Sequence, residues 1–512
     1  MQMKVVLIST STYPSDQGLR TVSSCLKRAG HKVKMIFLPA EESYHMRYPE
    51  EAVNQIKEIC GDAGVIGISS YASTSVRAED IIEKLKPLGK PIVWGGPHAT
   101  ISPQMCIEKA DIVCVGEGEE AMVELVDKIE KGEDYFDVKN FWFRKDGKIF
   151  KNEIRQMPNS LDNLAPPDYD IEDHYILKKD SLAPFFEKDL NGMIFFMTTR
   201  GCVNSCTYCS NHRYRQLYTG KGKLLRHYSI DYVINELVRL KNKFPTIGVF
   251  DIRDETLLAR SYEDIKEFSD RYKKEVGVRF KALADPPTVR EDKLQLLADA
   301  GMTDIIVGIQ SGSDRVNLEV YKRYIKRDQA LKAAQIINKF KDKLTVMYDF
   351  ITTNPYENPE DVLDSIKLCM ELPKPYFLSV NNLVFFLGTP LYEQAVADGI
   401  VKSKDDSAYD LNYWDRFKHI KLKKKNAYLN LVFNLMRGVV TERRYGIIPA
   451  PVLKKLVSES YVAYNLKHTA PTYAAGYTVQ AFDFMRENVA KPLYRSLPTD
   501  FKVWYDKVRY KA

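Results

Sequence analysis

Thr199-Arg200-Gly201-Cys202-Val203-Asn204-Ser205-Cys206-Thr207-Tyr208-Cys209 is the stretch on which the reading of this 512-residue chain turns. It follows the apolar run MIFFMTT, which starts at Met193 and reads as a strand. Three cysteines spaced C-x-x-x-C-x-x-C share one short loop. Thiolates are soft ligands that suit iron–sulfur clusters. Three of them on a four-iron cluster leave one iron open. Zinc is the other reading; it wants four ligands, and His212, three residues on, would be the fourth. The position of the loop, after the first strand of a run of βα units, favours the cluster.

The flanking sequence sets the frame. Residues 191–395 alternate strand and helix, with strands starting at Met193, Ile247, Phe280, Asp304, Val346 and Leu378. About six βα units predict a partial or full parallel β/α barrel with functional groups at the carboxyl ends of its strands. Residues 1–135 alternate more tightly. Strands are expected at Lys4–Ser9, Val33–Leu38, Val65–Ser70, Pro91–Trp94 and Asp111–Val115. Helices are expected at Leu19–Gly30, Ser75–Leu88 and Glu119–Glu130. This rhythm predicts an α/β, doubly wound, Rossmann-like parallel sheet whose ligand crevice lies at the strand ends. The loops there, Ser9–Gln17, Ser69–Ser75, Gly95–Thr100 and Gly116–Glu119, are rich in Gly, Ser and Thr. Residues 136–190 read as a connector, with a hairpin turn at Asp146-Gly147. Residues 396–512 read as a mostly helical carboxyl-terminal segment.

Composition excludes several classes. The chain is 45% hydrophobic and 28% charged, as globular proteins are. A net charge of +7, from 75 basic and 68 acidic residues, is too thinly spread to indicate a nucleic-acid partner. No apolar run approaches the ~18 residues of a membrane span. Met1–Thr10 reads as a strand and not as a secretion signal, so a cytoplasmic location is expected. Eight cysteines in a chain this long are no disulfide scaffold. Cys25, Cys60, Cys106, Cys114 and Cys369 lie apart and read as buried thiols.

The cysteine loop resembles that of the radical S-adenosylmethionine (SAM) superfamily, and further motifs follow it in order. Tyr208 stands where that family has an aromatic residue beside the adenine of SAM. Asp254-Glu255 resembles its acidic pair at the methionine amino group. Val307–Gly312, with Gln310 and Ser311, resembles the strand bordering SAM, and Asn354-Pro355 resembles a later loop facing it. The resemblance implies a 4Fe-4S cluster on Cys202, Cys206 and Cys209, with SAM chelated on the open iron. Upstream, Gly95-Gly96-Pro97-His98-Ala99-Thr100 and Asp111–Glu119 look like the cobalamin-binding domain that precedes many radical SAM cores. Gly95, Gly96, Pro97, His98, Gly116, Glu117 and Gly118 would then border the corrin, and Ser69, Ser70 and Ser73 would leave room for the nucleotide tail. A paired glycine lets backbone approach a large planar ligand. The D-x-H-x-x-G signature of another cobalamin family is absent, so cobalt would take no histidine from that motif; His98 is read as a loop residue near the corrin or nucleotide. The alternative is a flavodoxin-like domain without that ligand.

The resemblance implies a cobalamin-dependent radical methylase that acts on an unactivated carbon of a small-molecule or lipid-like substrate. A 5′-deoxyadenosyl radical and methylcobalamin would do the chemistry, and a flavodoxin or ferredoxin would supply electrons. A radical oxidoreductase or cyclase of the anaerobic porphyrin-cyclase kind stays open beside it. So does a non-catalytic iron–sulfur or cobalamin carrier. A tRNA methylthiotransferase ranks lower, because Cys25, Cys60, Cys106 and Cys114 do not fall in that family's amino-terminal pattern. Near the carboxyl end, Lys418, Lys421 and Lys423–Lys425 precede an apolar stretch from Tyr428 to Val439. Residues 418–440 read as a charged run beside a core helix, with peripheral membrane contact as the alternative.

Overall fold

The computed structural model describes residues 2–39, 47–401 and 424–468. These fall into two compact units. The first takes its residues from 1–257, 270–280 and 384–416, and the second from 258–269, 281–383 and 417–512.

The first unit opens with β1 (Lys4–Ser9), α1 (Gln17–Arg28), β2 (Lys32–Phe37), α2 (Glu50–Cys60), β3 (Val65–Ser69), α3 (Ser75–Leu85), β4 (Ile92–Gly95), α4 (Gly96–Ile101), α5 (Pro103–Lys109), β5 (Ile112–Cys114) and α6 (Glu119–Lys131). β1 lies between β2 and β3, and β4 and β5 continue outward from β3, all in parallel. The chain therefore winds to both sides of β1, and the crevice between the carboxyl ends of β1 and β3 is the switch point of the fold. Val5–Ser9 of β1 and all of β3 are buried, as expected of parallel strands covered by helices on both faces. Asp16 starts α1 by accepting the Leu19 N–H at 3.3 Å, which fixes the loop after β1.

The region read as a connector builds onto this sheet. The hairpin β6 (Phe141–Lys145) and β7 (Lys148–Lys151) continues it past β5 in antiparallel sense. A second hairpin, β8 (His174–Lys178) and β9 (Ser181–Pro184), adds at the other edge, β8 lying parallel to β2. Arg20 anchors this edge. Its guanidinium lies 4.4 Å from the Phe37 ring and 4.2 Å from Tyr169, and it donates to the carbonyls of Pro14 and Asp168.

The same unit holds β10 (Met193–Phe196), the two-residue β11 (Thr199–Arg200), α7 (Ser210–Leu217), β12 (Arg226–His227), α8 (Ile230–Lys243) and β13 (Val249–Ile252). β10 pairs with β13 in parallel, and β11 with β12 in antiparallel.

β14 (Arg279–Ala284) begins in the first unit and ends in the second, where β15 (Met302–Gln310), β16 (Thr345–Thr352) and β17 (Tyr376–Asn382) follow with helices between them. β15, β16 and β17 pair in parallel. β16 alternates buried and half-buried residues along its whole length, so one face is covered by helices and the other is left part-open. After β17 the chain is not purely helical: β18 (Gly438–Val440), β19 (Arg444–Tyr445) and β20 (Ile448–Pro449) form an antiparallel extension. Of residues 418–440, positions 418–423 lie outside the described residues. Downstream, Tyr428, Leu429, Val432 and Phe433 of the helix Ala427–Leu435 are buried, and Phe433 meets Phe350 at 5.5 Å. Its apolar face is thus part of the core. Among the described residues, no helix is long and apolar enough to cross a membrane.

Candidate functional site

The first unit encloses a cavity of about 740 Å³ at the switch point of its sheet. Ser11–Tyr13 and Ser15–Leu19, following β1, form one wall. Ser69 and Ser73, Gly95–Pro97 and Gly116–Gly118 form another. The remaining wall is Phe195, Met197, Arg200, Gly201, Ser210, Asn211, Arg253 and Glu255, the residues around the cysteine loop.

Glycine is required on the first side. Gly96 has φ +91°, and a Cβ there would lie 2.7 Å from Ser69 Oγ and 2.9 Å from Ser70 N. Gly116 has φ +90°, and its Cβ would lie 2.3 Å from Tyr218 Oη. Both conformations are open to glycine and strained for other residues. With Gly67, Gly95 and Gly118 also on the wall, backbone and small side chains meet the cavity. A large flat ligand such as a corrin fits walls of this kind, and the volume is that of a cofactor site.

Two of the cobalamin residues read from the sequence stand behind this wall. Ser70 is buried and accepts the Trp94 indole N–H at 2.9 Å. His98, expected on a loop, belongs to α4, because the helix begins directly at Gly96 without an intervening loop. It is 1% exposed and packs 5.6 Å from the Trp94 ring. Burial pushes its imidazole down to about 4, so it is neutral at neutral pH.

The cysteine loop follows β11. Cys206 is buried, and Cys202 and Cys209 are half-buried. The Asn204 N–H points to Cys202 Sγ at 3.4 Å, and Asn211 Nδ2 to Cys209 Sγ at 3.8 Å. Such N–H···S contacts favour thiolate ligands. Burial pushes the free thiols up, Cys202 to about 12 and Cys209 to about 11, and the Glu255 carboxylate adds to both. Loading with a cationic cluster therefore has to displace the thiol protons. His212 Nδ1 turns to the Oγ and carbonyl oxygen of Ser205, both at 3.0 Å. Tyr208, between the last two cysteines, is half-buried. The loop is also held from a distant part of the chain: Leu391 N–H donates to Thr207 O at 3.0 Å.

The acidic pair divides. Asp254 is wholly buried, and its carboxylate accepts the N–H groups of Thr198 at 2.6 Å and Thr199 at 2.9 Å, as well as the Thr198 hydroxyl. It braces the entry to the cysteine loop. Glu255 is exposed on the cavity wall. In the second unit, Gln310 ends β15 with φ +71° and is half-buried. Ser311 is buried at 3.4 Å from the hydroxyl of Ser365. Asn354 is buried as well, donating to Tyr321 Oη at 3.1 Å and accepting Tyr356 N–H at 2.9 Å. These three residues are described within their own unit.

Sequence reading did not single out Gln17, Phe195, Arg200, Arg226 or Arg253. Gln17 bonds to both the N–H and the carbonyl of Met197, at 2.6 and 3.2 Å. The Arg253 guanidinium lies 4.5 Å over the Phe195 ring, with Tyr13 4.6 Å from that ring on the same wall. The only local hint was the place of Arg200 and Arg253 directly before a motif.

Known proteins agree with this arrangement. Residues 3–126 match the family model of the B12 binding domain, and residues 196–369 that of the radical SAM superfamily. An uncharacterised methyltransferase of Pyrococcus horikoshii is 28% identical over 346 residues, 66% of this chain and 71% of that one. Cytidylyl-2-hydroxyethylphosphonate methyltransferase of Streptomyces wedmorensis is 26% identical over 61% of this chain and 64% of its own. The structure of the radical SAM methyltransferase TsrM from Kitasatospora setae, with cobalamin and a [4Fe-4S] cluster bound, shares the fold with a TM-score of 0.61 at 16% identity, over 79% of this chain and 77% of that one. A glycine-lined cavity reaching a three-cysteine loop and the two domain matches in this order lead to one conclusion: the chain is a radical SAM enzyme with an amino-terminal B12 binding domain, similar to cobalamin-dependent radical SAM methyltransferases, with a 4Fe-4S cluster, SAM and cobalamin as cofactors.

Proposed function

We propose that this enzyme methylates an unactivated carbon of a small-molecule or lipid-like substrate. The observation that carries this reading is the shared wall: Gly95–Pro97 and Gly116–Gly118 line the same cavity as Gly201, Ser210 and Glu255, which border the cysteines. When bound, the cluster supplies the electron that opens SAM, and cobalamin supplies the methyl group.

The chain's own residues bind, orient and shield. Cys202, Cys206 and Cys209 hold three irons. Glu255, acidic and exposed beside the thiols, is placed to receive the SAM ammonium group, and Tyr208 to flank the adenine. Tyr13, Phe195 and Met197 cover part of the cavity wall with apolar surface and keep water from it. In the second unit, the part-open face carries two cross-strand rows, Ile306–Met347–Phe377 and Gly308–Asp349–Ser379. An apolar row beside a polar one suits a substrate with an apolar body and a polar handle. A flavodoxin- or ferredoxin-type protein is the electron donor that this chemistry calls for.

The test is anaerobic turnover with SAM, reductant and methylcobalamin, followed by mass spectrometry of candidate substrates. A product heavier by one methylene unit supports methylation. Product of altered bonding without that gain assigns the chain to radical oxidoreductase or cyclase chemistry. Absence of 5′-deoxyadenosine from cluster-loaded protein with each candidate substrate present overturns the reading.

A further inference from the structure

Glu117 lies on the cavity wall, yet its polar atoms are turned to other parts of the first unit. Its N–H donates to Tyr218 Oη at 2.8 Å, and its carbonyl accepts Asn140 Nδ2 at 2.7 Å. Its carboxylate accepts both terminal nitrogens of Arg226, Nη1 at 3.1 Å, and pairs with Arg200 Nη1 at 3.2 Å. Arg200 Nη2 goes on to Glu119 Oε1 at 2.5 Å.

These partners are tied to the cluster loop at both ends. Arg200 directly precedes Gly201-Cys202 and pairs with Arg226 across β11 and β12. Gly201 has φ +88°, and a Cβ there would lie 2.4 Å from Leu224 O, so the turn into Cys202 is packed against the segment leading to β12. Tyr218 caps α7, the helix that starts after Cys209, and its hydroxyl fills the space beside Gly116. The loop Gly116–Gly118 and both flanks of the cysteine loop are therefore held by one set of contacts.

We propose that Glu117 is a positioning residue that couples corrin binding at Gly116–Gly118 to the cluster held by the cysteine loop. The proposal rests on the cavity being the corrin site. Two guanidiniums and two carboxylates form a quartet without net charge. Neutralising Glu117 leaves one positive charge in excess near Cys202, and this stabilises the more negative, reduced cluster. Linkage makes the coupling reciprocal: the factor by which the cluster changes corrin affinity is the factor by which corrin changes cluster affinity.

The experiment uses the full chain, anaerobically, with and without its cluster. Hydroxocobalamin affinity is read from the visible spectrum, and the cluster midpoint potential from an EPR-monitored redox titration. Wild type is expected to bind hydroxocobalamin at least about fivefold more tightly with the cluster in place. Glu117→Gln is expected to abolish most of that ratio and to shift the potential positive. Glu119→Gln makes the same charge change without touching the Glu117 contacts; it is expected to shift the potential and keep the ratio. If Glu117→Gln does not load its cluster, Arg226→Gln, which removes two bonds to Glu117, takes its place with the same expected loss of ratio. An unchanged ratio in the loaded variant overturns the coupling. Failure of wild type to bind hydroxocobalamin in either state overturns instead the corrin assignment on which the coupling rests.

Discussion

The parallel strands of the two units are built differently. β1 and β3 are buried nearly end to end, and helices cover both faces. Such a sheet can meet a ligand only at its strand ends. β16 alternates buried and half-buried residues, leaving a face on which side chains themselves can meet a ligand. The chemistry divides accordingly. The first sheet offers glycine and serine loops that accept a preformed cofactor; the second unit offers rows of individual side chains. On the proposed function, substrate choice would belong to the rows and cofactor choice to the loops.

The cysteine loop gives the hardest break between these roles. Cys202→Ala, Cys206→Ala or Cys209→Ala is expected to abolish 5′-deoxyadenosine formation. Each variant should still take up hydroxocobalamin, weakened only by the cluster coupling. Mass spectrometry and the corrin spectrum read both. Next in size is Gly96→Ala. Its φ of +91° and the crowding by Ser69 and Ser70 impose strain of about 1–3 kcal/mol on any side chain. Corrin affinity should fall at least about tenfold, equivalent to ~1.4 kcal/mol, while the cluster and its iron content persist.

The acidic pair sharpens the division within one motif. Asp254→Asn disturbs a buried carboxylate that accepts several donors, and should lower stability by about 2 kcal/mol in denaturant titration. Glu255→Gln should change the melt less than Asp254→Asn and weaken SAM binding to the cluster-loaded protein. The opposite pattern would exchange the roles of brace and ligand contact.

The smallest effect is in the pH dependence of stability. His98 titrates near 4 when folded, against an ordinary value of 6.5. Between these values the unfolded chain binds the extra proton. Stability conferred by neutral His98 is complete above pH 6.5 and falls as pH drops toward 4, by up to about 3 kcal/mol. His98→Gln should flatten that part of the stability–pH curve, measured by denaturant melts on wild type and variant.

Local spacing explains what was legible in the sequence. The C-x-x-x-C-x-x-C loop and the glycine loops at Gly95 and Gly116 each carry their chemistry within a dozen residues. The strand–helix rhythm of residues 1–135 was readable for the same reason. β8 was not: its five residues, HYILK, gain their meaning only by pairing with β2, from a distant part of the sequence. Arg226 and Glu117 are 109 residues apart, and nothing in either neighbourhood names the other. Asn354 shows the converse. Its motif is local, but its side chain is turned to Tyr321 and the Tyr356 backbone, a contact only the folded unit reveals.

The central claim is that one cavity serves the corrin and opens at the cluster loop. The most direct measurement is anaerobic reconstitution of wild type and Gly96→Ala with cluster, SAM, reductant and hydroxocobalamin, reading the bound corrin spectrum and 5′-deoxyadenosine together. The account predicts both signals in wild type and, in the variant, weakened corrin with deoxyadenosine retained. Deoxyadenosine from wild type with no bound corrin would contradict it.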